Sequence, residues 1–210
     1  MKCRFCDNKL NDSVINLGLA PPSNAYLKDL NQARKEKKFP LKLLFCENCY
    51  LLQTEDYNKP EELFTDDYAY FSSTSDFFLN HAKKYSDKII KKLKLNNESF
   101  VVEIASNDGY LLKNFKNHNY CNILGIEPAT NIAKFANKQN IRTENIFFND
   151  ETAKYIFNKY NFSKLIFSLN VLAHVPNVKS FVLGIKKILD KDGCWIIEFP
   201  HLLNLIKNTQ

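Results

Sequence analysis

Apolar residues recur at helical spacing through one long stretch of the chain. Phe77, Phe78, Ala82, Tyr85, Ile89, Ile90 and Leu93, with His81 among them, put a buriable face on a helix. The stretch 60–94 reads as helical, with Asp76 placed to cap its amphipathic part and Asn96-Asn97 marking its end. Beyond Ser99 the texture changes to short apolar runs at 100–105, 122–127, 141–147, 164–169 and 194–199, the third of them weaker than the rest. Between them lie helical patterns at 110–117, 132–139, 151–158 and 178–189. Strands alternating with helices of this length predict an α/β fold, a parallel sheet joined by right-handed crossovers. The first 55 residues are different, with prolines, short apolar runs and four cysteines. The chain therefore divides into a small domain at 1–55, a helical connector at 56–98 and an α/β domain at 99–210.

Composition adds limits rather than detail. With 210 residues, 45% hydrophobic and 25% charged, the chain has ordinary globular character. No run of about 18 apolar residues is present to span a membrane. The start, Met1-Lys2-Cys3-Arg4-Phe5-Cys6, has no signal-peptide core, so a cytoplasmic location is expected. A reducing compartment turns the thiols toward metal or burial rather than disulfides. The formal charge of +6 comes from lysines scattered among asparagines, and the basic stretch 34–38 has no aromatic platform for bases. Nucleic-acid binding is therefore not the favoured role; it would predict salt-sensitive binding.

Cys3-x-x-Cys6 and Cys46-x-x-Cys49 form two knuckles. Each CxxC turn puts two thiolates on one side of a tight loop, and two such turns make a tetrahedron for Zn2+. The alternatives are redox pairs or unrelated buried thiols, but redox CxxC opens a helix in a thioredoxin-like unit and neither pair does so. Four thiolates leave no open position for water, which makes the expected zinc structural. Cys121 and Cys194 fall beside or within strands and read as core residues.

The first strand of the α/β domain runs into Glu103-Ile104-Ala105-Ser106-Asn107-Asp108-Gly109. A turn there presents backbone N–H groups at a helix start, outside the carboxyl edge of the sheet. It lacks GxGxxG, so a dinucleotide pyrophosphate is poorly supported. The second strand ends on Glu127, where an acid can accept both ribose hydroxyls of an adenosine, or cap the next helix, or face solvent. After the fourth strand comes Asn170-Val171-Leu172-Ala173-His174-Val175-Pro176, again at the carboxyl edge. His174 is there either a proton carrier or donor, or a hydrogen-bonded structural residue.

These segments together resemble the S-adenosylmethionine-dependent sugar (NDP-hexose) C-methyltransferases of deoxysugar pathways, which carry an N-terminal zinc-binding domain. The match is carried by Cys3-Arg4-Phe5-Cys6, Pro21-Pro22-Ser23-Asn24-Ala25, Cys46-x-x-Cys49 and Asp67-Tyr68-Ala69-Tyr70-Phe71-Ser72-Ser73-Thr74-Ser75. It continues through the SNDG turn at 106–109, Gly125-Ile126-Glu127-Pro128-Ala129, Asn170 to Val175, and Glu198-Phe199-Pro200-His201-Leu202. The resemblance implies a Rossmann-like class I methyltransferase domain behind a small zinc-binding domain, with S-adenosyl-L-methionine and Zn2+ as cofactors. It implies that Glu103, Ala105, Ser106, Asn107, Asp108 and Gly109 wrap the methionine part of the cofactor. Glu127 with Pro128 would take the ribose, and Phe148 and Asn149 would cover the adenine. Asn170 would face the methyl group, with His174 and Tyr70 as catalytic residues and Ser72, Ser73 and Ser75 beside Tyr70.

The chemistry implied is methylation at C-3 of a nucleotide-linked 4-keto-deoxysugar. Proton removal next to the ketone makes that carbon a nucleophile, which calls for a base, donors to the enolate oxygen and close positioning. Family members continue past Gln210 with a Tyr-x-Glu-His segment, two further strands and a sugar-nucleotide domain. The expectation is thus a methyltransferase domain incomplete at its C-terminus, with activity resting on further sequence or on a second chain that supplies it. The competing expectation is a non-catalytic remnant that binds cofactor or zinc. Neither a membrane nor a nucleic acid is an expected partner.

Overall fold

The computed structural model describes residues 1–11, 13–118 and 122–208; Cys121, expected in the core, lies outside them. The chain forms two compact units, one of residues 1–70 with 176–179 and one of 71–175 with 180–210. The stretch 56–98, expected as one connector, is shared between them at Tyr70 and Phe71.

The first unit is built on an antiparallel sheet of β1 (Ser13–Ala20), β2 (Phe39–Phe45) and β3 (Leu52–Gln53), in that order. The pairing of β1 with β2 is interrupted between Ser13 and Ile15 and again between Asn16 and Leu19, which breaks the two-residue alternation a strand shows in sequence. A short helix α1 (Leu30–Arg34) starts at Asp29, whose Oδ1 accepts the N–H groups of Asn31 and Gln32 at 2.8 and 2.9 Å. Pro60 opens the single turn α2 (Pro60–Leu63), where its missing N–H costs nothing. Among the described residues only Cys3, Leu10, Leu44 and Cys46 form the buried apolar cluster of this unit, too little to hold a fold of this size by burial alone. Arg4 adds polar ties: its backbone N–H donates to Gln53 Oε1 at 3.1 Å and its guanidinium to Thr54 O at 2.7 Å and Asp56 at 3.1 Å.

The second unit opens with a 3-10 turn at Ser72–Thr74 and the long helix α3 (Asp76–Lys92). The helical expectation for 60–94 is therefore met over its amphipathic part, α3, and at Pro60–Leu63 in the first unit, but not continuously between them. Ser75, not Asp76, is the N-cap: its Oγ accepts the Phe78 N–H at 3.3 Å, and Asp76 becomes the first helical residue. The sheet then follows as β4 (Val101–Ile104), β5 (Ile123–Ile126), β6 (Thr143–Glu144), β7 (Ser163–Leu169) and β8 (Leu189–Glu198). Helices α4 (Leu112–Asn117), α5 (Thr130–Lys138), α6 (Asp150–Tyr160) and α7 (Val178–Ile188) connect them, and α8 (Leu202–Lys207) follows. The order is β6-β5-β4-β7-β8 and every pair is parallel. The third strand is two residues long, not the seven expected.

Alternate residues of β4 explain why both faces of this sheet are covered. Val101 packs with Ala82 and Ile89 of α3, with Leu112 and Phe115 of α4 and with Ala136 of α5. Val102 and Ile104 pack on the opposite side with Ala153 and Ile156 of α6 and with Phe181, Ile185 and Ile188 of α7. A parallel sheet needs this double cover, and its central strands accordingly read as continuous apolar runs. The order reverses beside β4, so the turn after β4 and the loop after β7 meet at a switch point on the carboxyl edge. Among the described residues no helix is long and apolar enough to cross a membrane.

Candidate active site and metal centre

The two knuckles of the first unit fold alike. In each, the first cysteine's N–H donates five residues ahead, Cys3 to Asn8 O at 2.8 Å and Cys46 to Leu51 O at 2.9 Å. Each also closes a return bond, Asp7 N–H to Cys3 O at 3.0 Å and Tyr50 N–H to Cys46 O at 2.7 Å. Asp7 and Tyr50 stand at φ +60° and +62°, so both chains turn through the same left-handed residue. The four sulfurs that result lie within 4.8 Å of one another, with Cys3–Cys49 at 3.6 Å and Cys6–Cys46 at 3.5 Å. Sulfurs about 2.3 Å from one tetrahedral ion would stand about 3.8 Å apart, so the set fits zinc closely. The Asn48 side chain, helped by the Asn8 backbone, lowers the Cys6 thiol to about 6. Against the pull of the Leu51 backbone N–H, burial and the three neighbouring sulfurs push Cys49 up to about 12. Such crowding is what a bound cation relieves. Cys194 is half-buried in β8, packed against the core and outside this cluster.

In the second unit the turn after β4 uses left-handed backbone at alternate residues: Ala105 at φ +55°, Asn107 at +48° and Gly109 at +80°. Only Gly109 signals this in the sequence. Asparagine tolerates the conformation, whereas alanine adopts it at a cost of about 1–2 kcal/mol, strain of the kind held at functional turns. A Cβ on Gly125 of β5 would meet Ser106 Oγ at 2.4 Å and Thr143 Oγ1 at 2.8 Å, so this glycine lets Ser106 close onto the sheet edge.

Three acids crowd that edge. Glu103, Asp108 and Glu127 are 1%, 5% and 3% exposed. Burial first, then the charges of Asp108 and Glu127, hold the Glu103 carboxyl well above the usual carboxylate range. Burial likewise pushes Glu127 up to about 7, against the pull of two backbone donors, while the Asp108 charge adds to the rise. Those donors are the Ala129 N–H to Oε1 and the Asn107 N–H to Oε2, each at 2.9 Å. Glu127 therefore braces the start of α5 and still has lone pairs for a ligand. Glu103 Oε2, Ser106 Oγ and Asp108 Oδ1 are buried without a hydrogen-bond partner. Buried orphans of this kind call for a ligand. Acids in such a group fit one that is cationic and rich in hydroxyl and ammonium donors, as S-adenosylmethionine is.

The remaining expected residues separate. Pro128 follows Glu127, and Asn145 Nδ2 ties down the Glu127 and Pro128 carbonyls at 2.9 and 2.8 Å. Nothing in the sequence pattern marked Asn145, which follows directly on the end of β6. Asn149 spends its Oδ1 capping α6, accepting from Glu151 and Thr152 at 2.9 Å each. Phe148 meets Phe181 edge-on at 5.4 Å, packed toward α7. Asn170, at φ +56°, is locked to the end of β8, its N–H donating to Glu198 O at 2.7 Å and its Nδ2 to Glu198 Oε1 at 3.1 Å. The motif containing Glu198 was visible in the sequence, but this role was not. His174 ends the 3-10 turn Leu172–His174 and is exposed. Beside this loop a small cavity is lined by Phe78, His81, Tyr85, Tyr110, Leu169 and Glu198. Tyr70 is the last residue of the first unit's main segment, 49% exposed.

Comparison with known proteins agrees with both halves. Residues 3–64 match a family described as "Putative zinc binding domain", and residues 102–197 match a methyltransferase domain. The chain is 29% identical over 209 residues to the C-methyltransferase NovU of Streptomyces niveus, which takes in 100% of this chain and 49% of that protein. It thus spans about half the length of this curated relative. Among solved structures, the plantazolicin methyltransferase BpumL, in complex with a triazolic desmethylPZN analog and SAH, matches with a TM-score of 0.50 at 15% identity. That match covers 64% of this chain and 52% of the other, and it concerns the fold.

Proposed function

We propose that this chain, which belongs to the S-adenosylmethionine-dependent C-methyltransferases with an N-terminal zinc-binding domain, methylates C-3 of a nucleotide-linked 4-keto-deoxysugar in deoxysugar biosynthesis. The observation that carries the cofactor half is the group of three buried acids around the left-handed turn, with three orphaned polar atoms among them. Carbon as the acceptor is supported by the relative's description as a C-methyltransferase. The sugar is the acceptor class that the quoted motifs suggest.

Bound at the turn, S-adenosylmethionine would supply a methyl group on a sulfonium. Glu127 accepts the ribose hydroxyls in this reading, while Glu103 and Asp108 face the cationic part. The Asn170 loop, fixed by Glu198, forms the acceptor side. His174 takes the proton from the carbon next to the ketone, and Tyr70 is the second residue that the motifs suggest as catalytic. Zinc on Cys3, Cys6, Cys46 and Cys49 is structural in this account and does no chemistry.

Methyl-labelled S-adenosylmethionine incubated with a nucleotide-linked 4-keto-6-deoxyhexose tests the proposal. Label should appear on the sugar carbon, and His174→Ala should slow transfer by about 10²–10⁴-fold while S-adenosylhomocysteine still binds. Binding without transfer to any 4-ketosugar nucleotide would leave a cofactor-binding protein that is not this enzyme.

A further inference from the structure

Asn107 occupies a left-handed position at φ +48°, where glycine would sit with less strain. What glycine lacks is an acceptor. Asn107 Oδ1 takes the Ser72 backbone N–H at 2.8 Å, and Asp108 Oδ2 takes the Ser73 N–H at 3.0 Å. Ser72 is 7% exposed, so its amide depends on this bond rather than on water. Through its own N–H, Asn107 also donates to Glu127 Oε2.

A second contact leads to the same acid. Phe71 packs edge-on against Phe135 of α5, with ring centroids 5.3 Å apart and planes at 84°. The N-cap residue of α5 is Ala129, whose N–H donates to Glu127 Oε1. The two oxygens of Glu127 thus hold the two elements on which residues 71–73 are seated, the SNDG turn and α5.

We propose that Asn107 and Asp108 are positioning residues. Their side chains form a latch through which a ligand held by Glu127 orders residues 71–75, so that filling the cofactor site fixes this segment before an acceptor enters. The inference rests on the reading that the Glu127 site takes S-adenosylmethionine. It assigns the two side chains to the 72–73 backbone, leaving cofactor contact to the turn's main chain and to Asp108 Oδ1. A fluctuation of the Glu127 carboxylate loosens both seats at once. A ligand bonded to that carboxylate removes it.

Amide exchange of residues 71–75, read with and without saturating S-adenosylhomocysteine, tests the latch in the full chain. Asn107→Gly keeps the left-handed backbone and the N–H to Glu127 but has no acceptor; Asn107→Asp restores one. In the parent, ligand should slow exchange at Ser72 and Ser73 by about tenfold or more, as expected for a locally opening segment tied to a binding site. The slowing should fall to about twofold or less in Asn107→Gly and return in Asn107→Asp. Undiminished slowing in Asn107→Gly would overturn the proposal, as would a parent saturated in calorimetry without any slowing. Calorimetry that detects no S-adenosylhomocysteine binding would remove the cofactor reading and the latch with it.

Discussion

The Asn107 backbone N–H donates to Glu127 Oε2 at 2.9 Å, joining the turn after the first strand of the parallel sheet to the acid that ends the second. The bond makes Glu127 a structural brace and a ligand group together. Replacing Glu127 with Ala should weaken S-adenosylhomocysteine binding by about 1–3 kcal/mol, since a buried charge-assisted bond is lost and Asn107 is left without its acceptor. Glu127→Gln, which keeps one acceptor and the shape, should lose less. Calorimetry showing unchanged affinity in both variants would remove Glu127 from the site.

The elevated Glu127 carboxyl also has a signature in pH. An acid lifted from its ordinary 4.5 to about 7 binds its proton more tightly folded than unfolded. Its contribution to stability is therefore present below about 4.5, shrinks as pH rises toward 7 and is absent above that. Glu103, also raised, acts in the same direction. Urea midpoints of the parent minus those of Glu127→Gln should fall between pH 5 and pH 7.5, by an amount equivalent to no more than about 3 kcal/mol. Ligand affinity should run the opposite way, rising with pH as the carboxylate ionises, with proton release on binding at pH 6. A difference that stays flat across this range contradicts the burial argument.

Gly109 tests the turn itself. At φ +80° a side chain is strained, and a Cβ would come within 3.0 Å of Ile141 Cγ1 and Cγ2. Gly109→Ala should lower stability by about 1–3 kcal/mol, part from the backbone and part from crowding in a buried contact. A loss below about 0.5 kcal/mol in denaturant titration would show that the turn can rearrange.

Removal of metal should separate the two units. Among the described residues the first has a buried apolar cluster of four, two of them cysteines from the knuckles, so its fold should depend on the ion. Freshly purified, reduced protein should contain about one zinc per chain, and chelation should unfold the region around both knuckles while the α/β unit keeps its transition. Less than about half an equivalent of metal contradicts the four-thiolate site.

The parts of this architecture legible in sequence were those in which burial imposes a period. The face of α3 and the apolar runs of β4, β5 and β7 are of that kind, as is the CxxC spacing. The antiparallel sheet of the first unit was not legible, because β1 is mostly exposed and its irregular register hides any alternation. Ser75 displaced Asp76 as a cap because either residue type can do the work and only the backbone decides. At the candidate site the left-handed residues Ala105 and Asn107 carry no glycine to announce them. The side chain of Asn145 is spent on the Glu127 and Pro128 carbonyls, brought near by tertiary folding that a linear pattern does not encode, whereas that of Asn149 is spent locally as the N-cap of α6. Ser72 and Asn107 stood out as separate motifs, and only the fold shows that they are bonded.

The central claim is that three buried acids at the sheet's carboxyl edge form a cofactor site. Calorimetric titration of the purified, zinc-loaded chain with S-adenosylhomocysteine tests it most directly. One site per chain, with proton release below pH 7 that is reduced in Glu127→Gln, is the predicted result. No binding at about 1 mM ligand, weaker than about −4 kcal/mol, would contradict it.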